Sequence, residues 1–139
     1  MTTQPRLKSL VKHFLGREIE PSDGIEAAEL DAAEKSLGVL LPPSLRNYYQ
    51  ALGRCEELNK AHNEVLSPLE LEIRDDHLIF MHENQGVVSW GFRLSEIDTP
   101  DPIVFQYNPG DKEWFSEQKP LLELLESMFS FYQEMGLWS

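Results

Sequence analysis

An α+β single domain is the fold class that this sequence predicts: a mainly antiparallel central sheet, packed by N-terminal helices and by a long C-terminal helix. Three observations carry that expectation. From Asp76 onward lie three apolar runs of strand length, Leu78 to Met81, Val87 to Phe92 and Ile103 to Tyr107, separated by acidic connections that contain Gly or Pro. Helical periodicity is found before and after this stretch, the pattern of segregated helices and strands and not of alternating βαβ units. A length of 139 residues suits one domain that buries roughly two thirds of its unfolded surface.

From the N-terminus, Leu7, Leu10, Val11, Phe14 and Leu15 recur at i, i+3, i+4, i+7 and i+8, which predicts an amphipathic helix with Arg6, Lys8 and Lys12 off its apolar face. Gly16 ends it. Residues 1–23 therefore read as a basic helix and linker, and residues 24–139 as the α+β domain proper. A second helix is expected from Ser22 or Asp23 to Gly38, with early acids that complement the helix dipole and Leu30, Ala33 and Leu37 on one face. Gly38 is placed to terminate it in a left-handed conformation. Glu34 borders the apolar stripe and is positioned to reach a backbone or side-chain donor. After the break at Leu41, Pro42 and Pro43, a third helix runs from Ser44 to Leu52 with Leu45, Tyr48, Tyr49 and Leu52 inside, closed by Gly53. Arg54 to Ser67 lacks periodicity and reads as an extended or partly helical connection, with Val65 and Leu66 tucked in.

Ser67 and Pro68 start another turn, and Leu69, Leu71 and Ile73 alternate ahead of the central strands. In the second central run Val88, Trp90 and Phe92 share one face, which must be covered. Gly86 suits a turn that needs positive φ, Pro42 and Pro102 fix the direction of the chain, and Trp90 is a large anchor on the sheet. Asn108 to Lys112 holds an NPGD turn, and Trp114 and Phe115 predict a last short strand. The final helix begins at Pro120 and carries Leu121, Leu124, Leu125, Met128, Tyr132 and Met135 at helical spacing, a stripe expected to face the core.

Charge narrows the functional classes. The net charge is -12, yet residues 1–17 hold Arg6, Lys8, Lys12 and Arg17 and no acid, so residues 18–139 hold 8 basic and 24 acidic residues. A body of that sign repels phosphate backbones and favours basic partners, which argues against direct nucleic-acid binding. No apolar run is long enough to span a membrane and no secretory pattern opens the chain, so a cytoplasmic location without membrane contact is expected. The single cysteine, Cys55, fits a reducing compartment and has no recognisable His partner motif. No phosphate loop, nucleophile elbow, HExxH or paired CxxC is present, and no cofactor is implied. His77 and His82, flanked by Asp75, Asp76 and Glu83, are the most tempting pair for a metal, although two partly exposed histidines at strand ends are the favoured reading and no metal site is expected. A separation of five along a strand, however, sends the two rings to opposite faces unless a bulge intervenes. Glu83 with Asp98 or Asp101 is a conceivable carboxylate pair for acid/base work, but separate acidic turns are the plainer reading in so acidic a chain.

Several separated pieces occur in a definite order: AEKSLGVLLPPSLRNYY (residues 33–49), LSPLEL (66–71), HENQGVVSWGF (82–92, with Gly86 and Trp90), DPIVF (101–105), and Trp114 followed by the C-terminal helix. Together they resemble the SUKH superfamily of immunity proteins and yeast cell-wall-synthesis regulators. One departure is that Leu52 precedes Gly53 where members commonly have Asn-Gly. Gly38, Pro42, Gly86, Trp90, Pro102 and Trp114 are the fold-defining residues under this resemblance. It implies a non-enzymatic protein-binding domain, many bacterial members of which neutralise a cognate toxin, often a nuclease. The expected partner is a basic toxin domain contacted by acidic loops, with Glu56, Glu57, Glu83, Asp98 and Asp101 as candidate contacts. The alternative is a regulatory or scaffolding domain for an endogenous partner, and a metal-dependent hydrolase using His77 and His82 stands as the contrasting class.

Overall fold

The computed structural model, which describes residues 3–138, contains five α-helices and one six-stranded antiparallel sheet among those residues. The helices are α1 (Thr3–Leu15), α2 (Ala27–Leu37), α3 (Pro43–Leu52), α4 (Glu56–Asn59) and α5 (Leu121–Met135). The strands are β1 (Glu64–Val65), β2 (Glu72–Arg74), β3 (His77–His82), β4 (Ser89–Arg93), β5 (Ile103–Asn108) and β6 (Glu113–Pro120), in the order β1-β3-β4-β5-β6. The short strand β2 also pairs with β3, at His77 to Ile79, while β1 pairs with it at Met81 and His82. Two short strands thus share one edge of β3. This is the α+β architecture that the segregated periodicities predict.

The helices bury one face of the sheet. Leu7, Leu10 and Val11 of α1 join Leu45, Tyr48, Tyr49 and Leu52 of α3 and Leu121, Leu124, Leu125 and Phe129 of α5 in one cluster with Leu78, Phe80, Phe92 and Val104. Phe80 stacks on Phe92 with ring centroids 4.8 Å apart. The tyrosine hydroxyls are buried but satisfied, Tyr49 donating to the Leu66 carbonyl and Tyr48 to Asn59 Oδ1, each at 2.6 Å. Just after α1, Arg17 ties the chain to the turn that follows and to α4, its guanidinium donating to both carboxylate oxygens of Asp23 at 2.9 and 3.0 Å and to Glu57 of α4 at 2.7 Å.

Five expectations need correction. The second helix starts at Ala27, because Pro21–Asp23 forms a separate 3-10 turn closed by a capping box between Glu20 and Asp23. A second such turn, Pro68–Glu70 with Ser67 and Glu70 as its box, interrupts the apparent alternation, leaving Leu69 and Ile73 exposed and only Leu71 buried. The second central strand begins at Ser89. Val87 is exposed beyond the turn at Gly86 (φ +73°), and the Val88 N–H goes to the Glu83 carboxylate at 3.3 Å. The last strand is eight residues long, and at the far end of α5 Met135 is exposed while Phe129, off the expected stripe, is buried. Gly38 does end α2 at φ +79°. Gly53 closes α3 for another reason: its φ is helical at -61°, but a Cβ there would collide with the Ile25 side chain and the Tyr49 carbonyl.

Candidate functional site

The two histidines lie on the sheet face away from the helices. The β3–β4 register shifts between Ile79 and Met81, so three residues of β3 face two of β4 across a bulge. His77 pairs with Arg93 and His82 with Ser89, two residues of the same parity on an uninterrupted β4. The expectation of opposite faces is thereby overturned, since the extra residue restores the parity. The rings still do not meet. His77 Nδ1 lies 2.6 Å from the Asp75 carbonyl, which can only accept, so this nitrogen carries the proton, and the ring stacks on Trp114 at 3.8 Å. His82 Nδ1 lies 3.0 Å from Ser89 Oγ and its Nε2 3.6 Å from Glu72. Among the described residues no group of three or more His, Cys, Asp or Glu is arranged to hold a metal ion.

This face is coiled around its own side chains. Arg74 of β2 sits 5.3 Å from the Tyr107 ring of β5, and His77 of β3 meets Trp114 of β6, so both contacts skip two strands. Only a strongly twisted, bulged sheet brings such positions together. Arg93 lies 4.1 Å over Phe105 on the same face.

The candidate acidic contacts are dispersed. Glu56 and Glu57 are exposed on α4, but Glu57 is engaged by Arg17, and Glu56 edges a polar hollow of about 520 Å³ shared with Lys60, Glu64 and Glu70. Glu83 precedes β4, whereas Asp98 and Asp101 follow it, so a strand of five residues, about 17 Å, separates them. That distance removes the acid/base pair. Trp90 donates from Nε1 to Glu117 at 2.7 Å; Pro42 and Pro102 are buried, and Trp114 is half-buried on the coiled face. Cys55 is buried, and desolvation holds its thiol above the ordinary cysteine value, the opposite of what an activated nucleophile needs.

Asp101 does edge a built feature. A cleft of about 260 Å³ lies between the start of α3, the Pro100–Asp101 turn and α5, walled by Ser44, Asn47, Leu122 and Arg6. The Ser44 amide donates to the Pro100 carbonyl at 3.0 Å, which fixes the turn against the helix, while Ser44 Oγ is buried without a partner. Arg6 is tied to Glu126 at 2.6 Å. Beyond the cleft the outer side of α5 carries Glu123, Glu126, Ser127, Ser130, Phe131 and Glu134 around a shallow groove. Sequence reasoning did not single out this side, although the signal was present: Phe131 lies two residues, hence about 200° of helix, from Phe129, so the two rings cannot both face the core.

No protein-family model matches the sequence, and neither does any curated relative. No helix among the described residues is long and apolar enough to cross a membrane.

Proposed function

We propose that this chain is a protein-binding domain without catalysis of its own, a cytoplasmic immunity protein that binds and neutralises a basic toxin domain of a polymorphic toxin system, nucleases being the toxin class favoured. The observation that carries the reading is the way charge is distributed. Arg6, Arg17, Arg46 and Arg54 are all engaged in short ion pairs of 2.6–2.9 Å within the chain, those of Arg6 and Arg54 at the surface, while most of the 24 acids face outward, so the surface seen by a partner keeps the negative sign of the composition. Such a surface speeds docking of a basic protein and disfavours nucleic acid. The SUKH resemblance supplies the biological class.

The first experiment is a pull-down of the tagged protein from its source cells at moderate salt, with mass spectrometry of what is retained. Recovery of one toxin, whose toxicity in a heterologous host is suppressed by co-expressing this chain, sustains the proposal. Recovery of housekeeping proteins alone refutes it in favour of the regulatory or scaffolding role. Charge reversal at Glu56, Glu83, Asp98 and Asp101 is expected to lower the association rate and flatten its salt dependence. Glu57 is left out of that set because its reversal would break the contact with Arg17.

A further inference from the structure

We infer that the cleft beside Ser44 and Asp101 is a pocket for a lysine side chain, and that it forms one end of a docking face running along the outer side of α5 to Phe131. The inference rests on the basic-partner reading and says where that partner sits.

The cleft has the chemistry of an ammonium site. Asp101 is exposed at its mouth and makes no ion pair among the described residues, because the nearby cation, Arg6, is committed to Glu126 at 2.6 Å. Ser44 is only 6% exposed, and its hydroxyl, which can accept as well as donate, is left without a partner in the wall. A volume of about 260 Å³ admits an unbranched lysine stem, for which Leu122 offers apolar contact. Arg6 is the opposing charge. It is outnumbered: its guanidinium is held charged first by the hydrogen bond to Glu126 and then by the fields of Glu126, Glu123 and Asp101, so three carboxylates converge on this corner.

The outer side of α5 continues the same sign. From Leu121 to Met135 the helix contains no Lys or Arg, and Glu123, Glu126 and Glu134 line the same shallow groove as Phe131, which is 53% exposed. An exposed aromatic ring at the end of a groove lined by carboxylates has the composition of an anchor for a basic surface. Leu122 and Phe131 are nine residues apart, about 13.5 Å along the helix and half a turn around it, so the path between them crosses Glu126 and Ser130 over roughly 20 Å, which five extended residues together with the reach of the lysine side chain can span. A second copy of this chain is disfavoured as occupant because two bodies of net charge -12 repel each other, and the same field disfavours nucleic acid.

The test is a titration of the isotope-labelled full chain, followed by amide NMR, with the peptide acetyl-Lys-Arg-Gly-Arg-Leu-amide and with a control in which norleucine replaces the lysine. Saturable shifts are expected at Ser44, Asn47, Asp101, Ser130 and Phe131, with those of the cleft lost in the norleucine control. D101N is expected to weaken binding at least fivefold, and F131S similarly; both positions are exposed, so spectra elsewhere should be unchanged. Shifts centred on the Glu56, Glu64 and Glu70 hollow and indifferent to D101N would overturn the inference while leaving a basic partner in place. No saturable shift at the cleft would also overturn it. Failure of the parent reading is a separate result, namely a pull-down that yields no basic protein.

Discussion

Replacing Arg17 by Ala should cost about 3 kcal/mol of stability. Its guanidinium bridges both oxygens of Asp23, whose side chain is 9% exposed, and without it that carboxylate keeps only the Glu20 N–H at 2.7 Å. Breaking a buried pair from one side costs about 3–5 kcal/mol; the lower end applies here because Arg17 is itself 27% exposed and water can enter the vacated position. The Glu57 contact adds little, since that side chain is 58% exposed. For a domain of this size the loss is a fall in Tm of roughly 10 °C. Asp23→Asn should cost about 1–2 kcal/mol, and the double variant should be less destabilised than the sum by at least about 1 kcal/mol, because the second change removes the carboxylate that the first strands. The effect also has a pH signature. The hydrogen bond from Arg17 lowers the Asp23 pKa in the folded state, against the opposing pull of burial and with help from the Glu20 N–H. Its stabilisation is therefore complete above the unfolded carboxylate value of about 3.9 and is lost as pH falls through the lower folded value. Thermal denaturation of the four proteins at pH 7 and below pH 4 measures all of this. A fall in Tm under 2 °C, or strictly additive variants, would refute the claim that Arg17 ties the chain after α1 to the turn that follows.

Gly24→Ala and Gly53→Ala should each cost more than about 2 kcal/mol by chemical denaturation, since the added methyl would meet the Gln50 carbonyl in the first and Ile25 with the Tyr49 carbonyl in the second. Gly38→Ala, with open space but a φ of +79°, should cost only about 1 kcal/mol. Phe129→Ala should cost about 3–5 kcal/mol, whereas Phe131→Ser should leave Tm within about 2 °C, a contrast that follows from one ring being buried and the other half exposed. In the folded protein Cys55 should resist an aromatic disulfide reagent and react only as fast as the chain opens; rapid stoichiometric labelling at pH 8 would contradict its burial and raised pKa.

The parts of the fold legible in the sequence are those that a period can reveal. The inner faces of α1 and α3 follow from spacing alone, because every residue of a helix occupies a defined 100° step and a mistake would place charge in the core. The two 3-10 turns closed by capping boxes were hidden for the opposite reason. Pro21, Ser22 and Asp23 carry the usual marks of a helix start, and so do Ser67, Pro68 and Glu70, yet in both cases the cap closes on its own third residue and the chain leaves after one turn. The bulge in β3 had no signature at all. Leu78, Ile79, Phe80 and Met81 are apolar at every position, so there is no alternation to lose count of, and parity arguments about His77 and His82 fail for want of a marker.

The candidate site shows the same boundary between what adds up locally and what depends on pairing. Net charge is a sum over residues and is legible; which acids are neutralised is not, because Arg6 finds Glu126 across 120 positions and Arg17 finds Glu57 across 40. Yet the pairing decides the surface. Arg6 joins α1 to α5, Arg17 joins the linker to α4, and Arg46 joins α3 to Asp31 and Glu34 of α2, whose Glu34 also accepts the Leu41 amide at 2.8 Å. Each such pair takes at least one acid out of play along with its cation, so what a partner meets is set by the unpaired excess of acids. An arginine variant will therefore change stability and surface potential together, and binding measured on it cannot separate the two. Asp101 and Phe131 carry no such structural duty: neither makes an ion pair or ring contact with another element among the described residues, so substitution there alters what a partner meets without loosening what the helices hold.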